Sequence, residues 1–312
     1  MSRAAEVFTP TPRDGVSASR VGVGDGRFAN VLAFLEARFP AVADWPERIA
    51  RGDVLDAEGR PMAPDAPCLL GTLLWYWRAP PPEPRVPFEI DVLHQDEHLV
   101  VIDKPHFLAA IPGGRHLHET ALVRLKNQLG IDTLTPMHRL DRETAGVLVF
   151  IVQPPTRGAY QALLRGREVH KVYEAVAPWR DELALAQVVR HRIEKPSDAG
   201  FMQVRIVPGE PNAETHVELI ARLPDGLARY RLTPKTGRTH QLRAQMDALG
   251  APLVGDRIYP SLLPESASGA APDWSRPLQL LAREFAFTDP LTGQPRRFVS
   301  RRELALTAGL PG

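Results

Sequence analysis

Apolar positions along the chain change period several times, and the changes mark out the elements. Phe28, Val31, Leu32, Leu35 and Phe39 recur at helical spacing, one face of an amphipathic helix that must stop by Phe39 because Pro40 follows. A second short helix is expected over residues 45–51, closed by Gly52, then a strand and turn over 54–59 and an aromatic strand over 73–78. Before this module, residues 1–24 carry prolines and glycines with no sustained periodicity and read as a poorly ordered tail. After it, the clustered prolines of residues 79–87 hold the chain extended. The expected organisation is therefore a tail (1–24), a small module (25–80), a linker (81–87) and a large domain (88–312).

In the large domain, residues 89–94 and 98–103 read as two strands across a Gln95-Asp96-Glu97 turn. Thr120 is placed to cap a helix whose apolar face is Leu122, Leu125 and Leu129, with Gly130 as its stop. The run Val147-Leu148-Val149-Phe150-Ile151-Val152 has the length and β-branched composition of a buried strand. A helix over 157–164, strands over 172–177, 215–223 and 227–232, and a helix marked by Leu242, Met246 and Leu249 before Gly250 complete the pattern. Many strands with interspersed helices and no internal repeat argue an α+β fold.

Two polar clusters interrupt this pattern at hinges. His138-Arg139-Leu140-Asp141-Arg142-Glu143 runs directly into the buried strand, and Lys235, Arg238, His240 and Arg243 crowd the approach to the last helix. Loops held at strand mouths are where catalytic groups concentrate, and the arginines flanking Asp141 would keep its carboxylate ionised and aimed. Composition narrows the chemistry. Lys+Arg 38 against Asp+Glu 37 leaves no whole-chain field for a polyanion, so any such partner must be met by local patches. Cys68 is the only cysteine, which excludes an internal disulfide and a cysteine-based metal cluster and fits a reducing compartment. No apolar stretch approaches a secretory signal or a membrane span, so a cytoplasmic protein without membrane association is expected.

Several constellations are weaker. Asp141 with Glu143 as glycosidase carboxylates requires one protonated acid, which neighbouring arginines oppose. His138 with Asp141, or His116 with His118, lacks further metal ligands at short spacing, and no G-x-S-x-G elbow accompanies any histidine. No metal is expected.

H-R-L-D-R-E-T-A-G-V-L-V-F strongly resembles the H-R-L-D-x-x-T-S-G signature of the RluA-type RNA pseudouridine synthases. K-T-G-R-T-H-Q-L-R-A-Q-M-D-A-L-G-A-P-L-V-G-D-R-I-Y, V-V-I-D-K-P, H-K-V-Y-E-A-V and L-L-A-R-E-F-A-F-T-D-P resemble that family's other motifs in the same order, over residues 88–300. The resemblance implies a catalytic domain built on a mixed, mainly antiparallel sheet that isomerises uridine to pseudouridine in ribosomal or transfer RNA without a cofactor. It implies Asp141 as the catalytic aspartate, Arg243 as its partner and Tyr173 as the active-site tyrosine, offering a stacking face and a hydroxyl for proton transfer at ring carbon five. Arg139 matches the residue that fills the gap left by a flipped nucleotide. His138, Arg142, Arg165, Arg167, Lys171, Arg238 and His240 are the further expected RNA contacts, with Arg296 and Arg297 as candidate phosphate contacts. Two positions depart from the pattern: Ala145 stands in place of serine, and Lys104-Pro105-His106-Phe107-Leu108 in place of K-P-x-G-L. Residues 25–80 are weakly similar to a degenerate S-four-like RNA-binding domain, with an acidic surface from Asp44, Glu47, Asp53, Asp56 and Glu58. The alternative function is a non-catalytic RNA-binding module that kept the synthase fold.

Overall fold

A computed structural model describes residues 8–25, 27–78, 83–196, 203–263 and 272–307. The chain divides into two compact units, Met1–Glu83 and Pro84–Gly312. Residues 1–7 of the expected tail and 81–82 of the expected linker lie outside the described residues.

The first unit contains β1 (Ser19–Gly22), α1 (Val31–Arg38), α2 (Trp45–Ala50), β2 (Val54–Leu55) and β3 (Leu73–Tyr76), with the strands in the order β1-β3-β2. The segment expected as a tail thus supplies a strand. Ser-Arg-Val-Gly has no apolar alternation to announce it, and its structure comes from antiparallel pairing with β3. Helix α1 starts at Val31 because the Asn30 side chain accepts from the Ala33 amide, 2.9 Å, which leaves Phe28 outside the helix. Val31, Leu35, Trp45, Ile49, Leu74 and Cys68 are buried together. The acidic surface is largely neutralised in place: Asp44 pairs with Arg48, Asp53 with Arg13 and Arg51, and Asp56 and Glu58 with Arg60.

The second unit runs β4 (Asp91–Gln95), β5 (Leu99–Lys104), α3 (Ala121–Leu129), β6 (Thr135–Pro136), β7 (Ala145–Ile151), α4 (Arg157–Gly166), β8 (His170–Pro178), β9 (Gln187–Glu194), β10 (Arg205–Val207), β11 (Ala213–Arg222), β12 (Leu227–Pro234), α5 (Gln241–Ala248), β13 (Leu280–Thr288) and β14 (Pro295–Val299). The strands form one 11-stranded sheet in the order β10-β9-β11-β12-β8-β13-β7-β5-β4, with β14 on β13 and β6 on β7. Among the described residues every pairing between these strands is antiparallel except β13 with β7, so the sheet is mixed and mainly antiparallel. Asp96 builds the β4–β5 turn by accepting from the His98 and Leu99 amides, and Thr120 and left-handed Gly130 bound α3.

All seven residues of β7 are buried, and alternation sorts them. Leu148 and Phe150 join Leu125 of α3 on one face, while Val147, Val149 and Ile151 meet Tyr160 of α4 and Phe285 and Phe287 of β13 on the other. A strand covered on both sides needs an apolar run with no polar interruption. Further along the sheet, Ala175, Tyr230 and Leu232 pack under Leu242 and Met246 of α5. Tyr173 packs against both this cluster and the α3 cluster. It therefore sits at the seam between the two cores, beside the single parallel junction. Among the described residues no helix is long and apolar enough to cross a membrane.

Candidate active site

The polar loop of residues 137–144 leads into β7, Tyr173 lies on β8, and Arg243 lies in the first turn of α5. The chain order β7, β8, α5 becomes a spatial cluster because β13 inserts between β7 and β8, pairing Ala282 with Gly146 on one side and with Tyr173 on the other. A cavity of about 1070 Å³ opens there. It is lined by Asp141, Tyr173, Arg243 and all eight expected RNA contacts: His138, Arg139, Arg142, Arg165, Arg167, Lys171, Arg238 and His240.

Asp141 is partly exposed, and its Oδ2 accepts from Arg243 Nη1 at 3.3 Å, with His240 Nε2 at 3.8 Å. The arginine next to it in sequence is committed elsewhere, since Arg142 pairs with buried Glu143 at 2.6 Å. The expectation that flanking arginines aim the carboxylate does not hold for Arg142: the cation bonded to Asp141 is Arg243, the partner that the resemblance implies, carried by α5, 102 residues away. Arg243 is buried and also grips Asp256, Nε to Oδ2 at 2.8 Å and Nη2 to Oδ1 at 2.6 Å. Burial opposes its charge, but the two carboxylates outweigh that and raise its pKa, so it stays cationic throughout the working range.

One side chain makes four of the bonds that hold the loop before α5. Gln241 accepts from the Arg238 amide and the Thr236 hydroxyl, and donates to Glu214 carbonyl and Thr215 hydroxyl oxygens. Its neighbour His240 adopts φ +50 and approaches the Tyr259 hydroxyl at 3.3 Å through Nδ1. Burial lowers the His240 pKa against the opposing charge of Asp141, with Arg243 adding a smaller lowering, so the ring is neutral near pH 7.

The expected RNA contacts divide by exposure. Arg139, Arg165, Arg167 and Arg238 are exposed on the cavity rim. Lys171 is half-buried and donates to the Thr236 carbonyl at 3.2 Å, tying β8 to the second loop. His138 stacks on Phe285 with ring centroids 4.3 Å apart, and its Nε2 accepts from the Val149 amide. Burial pushes its pKa down to about 3, so it braces the loop as a neutral ring and carries no charge toward a phosphate. Arg296 and Arg297 do not line the cavity. Carried by β14, they pair with Asp96 and Asp289, and with Glu284. Among the described residues no group of three or more His, Cys, Asp or Glu is arranged to hold a metal ion.

The residue that sequence reasoning passed over is Lys104. Although wholly buried, it donates to the carbonyls of Pro105 at 2.9 Å, Leu108 at 2.7 Å and Arg142 at 3.1 Å, joining the end of β5 to the Asp141 loop. Burial pushes its pKa down to about 7 against the opposing charges of Glu143 and Asp141. A lysine directly before proline at the end of an apolar strand was the available signal. Lys104→Met should cost roughly 2–4 kcal/mol in urea denaturation, because two buried carbonyls and one part-buried carbonyl lose their donor. A loss below about 1 kcal/mol would mean that water replaces the ammonium. At the adjoining departure from K-P-x-G-L, Phe107 adopts φ +66, a conformation glycine reaches freely. Its ring packs with Phe88 and Trp274 at centroid distances of 6.1 and 5.2 Å, contacts that offset the backbone cost.

Residues 98–248 match the RNA pseudouridylate synthase family. A dual-specificity RNA pseudouridine synthase RluA of Haemophilus influenzae is 34% identical over 225 residues, 72% of this chain and 96% of the relative. The chain belongs to the RluA-type RNA pseudouridine synthases. An uncharacterised RNA pseudouridine synthase of Synechocystis is also 34% identical, over 73% of this chain and 78% of that one. The synthase fold extends to human RNA pseudouridylate synthase domain containing 1, with TM-score 0.56 and 22% identity over 70% of this chain and 86% of that one. Human RNA pseudouridylate synthase domain containing 4 gives TM-score 0.51 and 26% identity over 68% and 88%.

Proposed function

We infer that this synthase isomerises uridine to pseudouridine in structured RNA, with Asp141 as the reacting carboxylate. The observation that carries the reading is the charge of the cavity wall. Among the described residues, nine Lys and Arg side chains line the cavity with a single carboxylate, Asp141, in a chain whose net charge is only +1. A polyanion is drawn to such a wall, and its lone carboxylate is suited to chemistry rather than to phosphate binding.

The reaction breaks the bond from the anomeric carbon to ring N1 and joins that carbon to ring C5; the C5 hydrogen leaves as a proton and N1 gains one. Asp141 acts at the sugar, as nucleophile at the anomeric carbon or as base for the hydrogen on the neighbouring carbon. Arg243 orients it through a charge-assisted hydrogen bond. Burial and the Asp141 charge raise the Tyr173 pKa, so its hydroxyl begins as a donor toward the uracil while the ring offers a stacking face. Exposed Arg139 reaches the space a flipped nucleotide vacates, and Arg165, Arg167 and Arg238 meet phosphates along the rim. The cytoplasm is the working compartment on this reading, where Cys68 stays reduced.

The decisive experiment is a map of pseudouridine across total RNA, by chemical adduct and reverse-transcription stop, in wild type, a deletion strain and a deletion carrying Asp141→Ala. A uridine modified only in wild type names the substrate and decides between ribosomal and transfer RNA. If no site changes and the purified protein is inactive on transcribed RNA, the reading fails. On the substrate so found, Tyr173→Phe should lower turnover by about 10²–10³ with RNA affinity retained, since it removes the proton-transfer group and keeps the ring. Unchanged turnover would confine Tyr173 to stacking.

A further inference from the structure

Asp256 lies on the far side of Arg243 from Asp141, does not line the cavity, and has unusually complete bonding. Its side chain is 0% exposed. Oδ1 accepts from Arg243 Nη2 at 2.6 Å and from the Ile258 and Tyr259 amides at 2.8 and 3.0 Å, while Oδ2 accepts from Arg243 Nε at 2.8 Å. The guanidinium edge of Nε and Nη2 is thereby consumed in a bidentate pair, and only Nη1 is left to meet Asp141, at the longer distance of 3.3 Å.

We propose that Asp256 is a positioning residue of the synthase: it fixes the Arg243 guanidinium so that Asp141 receives one oriented hydrogen bond and keeps the rest of its carboxylate free for the sugar. An arginine without Asp256 has a choice between two states that both impair the reaction. It can turn its two-donor edge onto Asp141 and close both carboxylate oxygens against the substrate, or swing away and leave Asp141 unaimed. The bidentate grip removes both. Asp256 reaches the site by a second route as well, because the turn it pins carries Tyr259, whose hydroxyl meets His240 at 3.3 Å, and His240 in turn lies 3.8 Å from Asp141. One buried carboxylate thus holds both groups that flank Asp141.

The inference rests on the synthase reading, and its test separates the two. Asp256→Asn is the informative variant, since the amide oxygen can keep the Oδ1 bonds to Ile258, Tyr259 and Nη2 while its NH₂ faces Arg243 Nε, donor against donor. In the full-length protein on an RNA that wild type modifies, turnover should fall at least 10-fold with KM for RNA within 3-fold of wild type. A residue that only supports the fold would instead lower the active fraction, which circular dichroism and active-site titration detect. A second measurement needs no substrate: the Arg243 Nε–H resonance of ¹⁵N-labelled wild type should be protected from solvent exchange, and that protection should vanish in Asp256→Asn. Turnover within 2-fold of wild type in a folded variant, or Nε–H protection that survives the substitution, would overturn the proposal. If wild type modifies no RNA at all, the functional reading fails while the resonance experiment still decides the geometry.

Discussion

Asp141→Ala should leave a folded protein with at most about a thousandth of wild-type turnover. The two halves of this prediction have separate causes. Stability is spared because the aspartate is weakly anchored: it is 31% exposed and held by Arg243 at 3.3 Å. Its removal orphans no buried cation, since Asp256 still grips two nitrogens of the guanidinium. A change of about 1 kcal/mol or less in urea denaturation follows. Activity is lost because, among the described residues, no other one lining the cavity carries a carboxylate. His240 is close but neutral near pH 7, its pKa lowered by burial, and Tyr173 keeps its proton. Neither can take over as an anion at the sugar. Asp141→Asn should be equally inactive, which would assign the loss to charge rather than to an empty space. Single-turnover assays of both variants check this; turnover above about one hundredth of wild type in either would remove Asp141 from the reaction.

What could be read from the sequence was whatever is caused locally. The Thr120 cap and Gly130 stop of α3, the Asp96 turn and the β7 apolar run each act within a few residues of their cause. Motif order carried more, since Asp141, Tyr173 and Arg243 were named before any topology placed them around one cavity. What stayed hidden is what pairing across the chain decides. Strand β1 exists only through β3, and β9 and β13 alternate too irregularly to stand out before their partners are known. Motif resemblance named Arg243 as the partner of Asp141, but reading the neighbouring residues alone pointed to the wrong cations for the same reason. Two arginines beside it in sequence looked sufficient, but Arg142 answers to Glu143, and Arg243 arrives only because the sheet brings α5 back over β8 and β12. Arg142, Lys171 and Arg238, all expected to contact RNA, each also make a bond inside the protein that the sequence did not announce. Lys104 and Asp256 were hidden more deeply: most of their partners are near in sequence, but what declares a buried charge is its burial, which no local pattern spells out.

Gly146→Ala should be the most damaging single methyl in the site. Gly146 adopts φ +110, which a side chain resists, and an added Cβ would lie 2.2 Å from the Ala282 carbonyl oxygen and 2.7 Å from its nitrogen. These are backbone atoms of β13 at the one parallel junction of the sheet, so no side chain can turn aside to make room. Strain of about 1–3 kcal/mol adds to a packing cost of similar size, a sum of about 2–6 kcal/mol against a total stability of about 5–15. The injury also reaches the chemistry. Ala282 is hydrogen-bonded in register between Gly146 and Tyr173, so the strand that yields to the methyl is the one that spaces the Asp141 loop from Tyr173. Variant protein that still folds should therefore lose turnover well beyond its loss of folded fraction. Gly158→Ala is the matched control: Gly158 lies within α4, its Cβ would meet nothing within 4 Å, and the substitution should be neutral or stabilising by about 0.4–1 kcal/mol. Denaturant melts of the two variants beside wild type measure the difference. If Gly146→Ala melts within about 1 kcal/mol of Gly158→Ala, the sheet can open at the parallel junction, and close backbone approach there is not what fixes the distance between Asp141 and Tyr173.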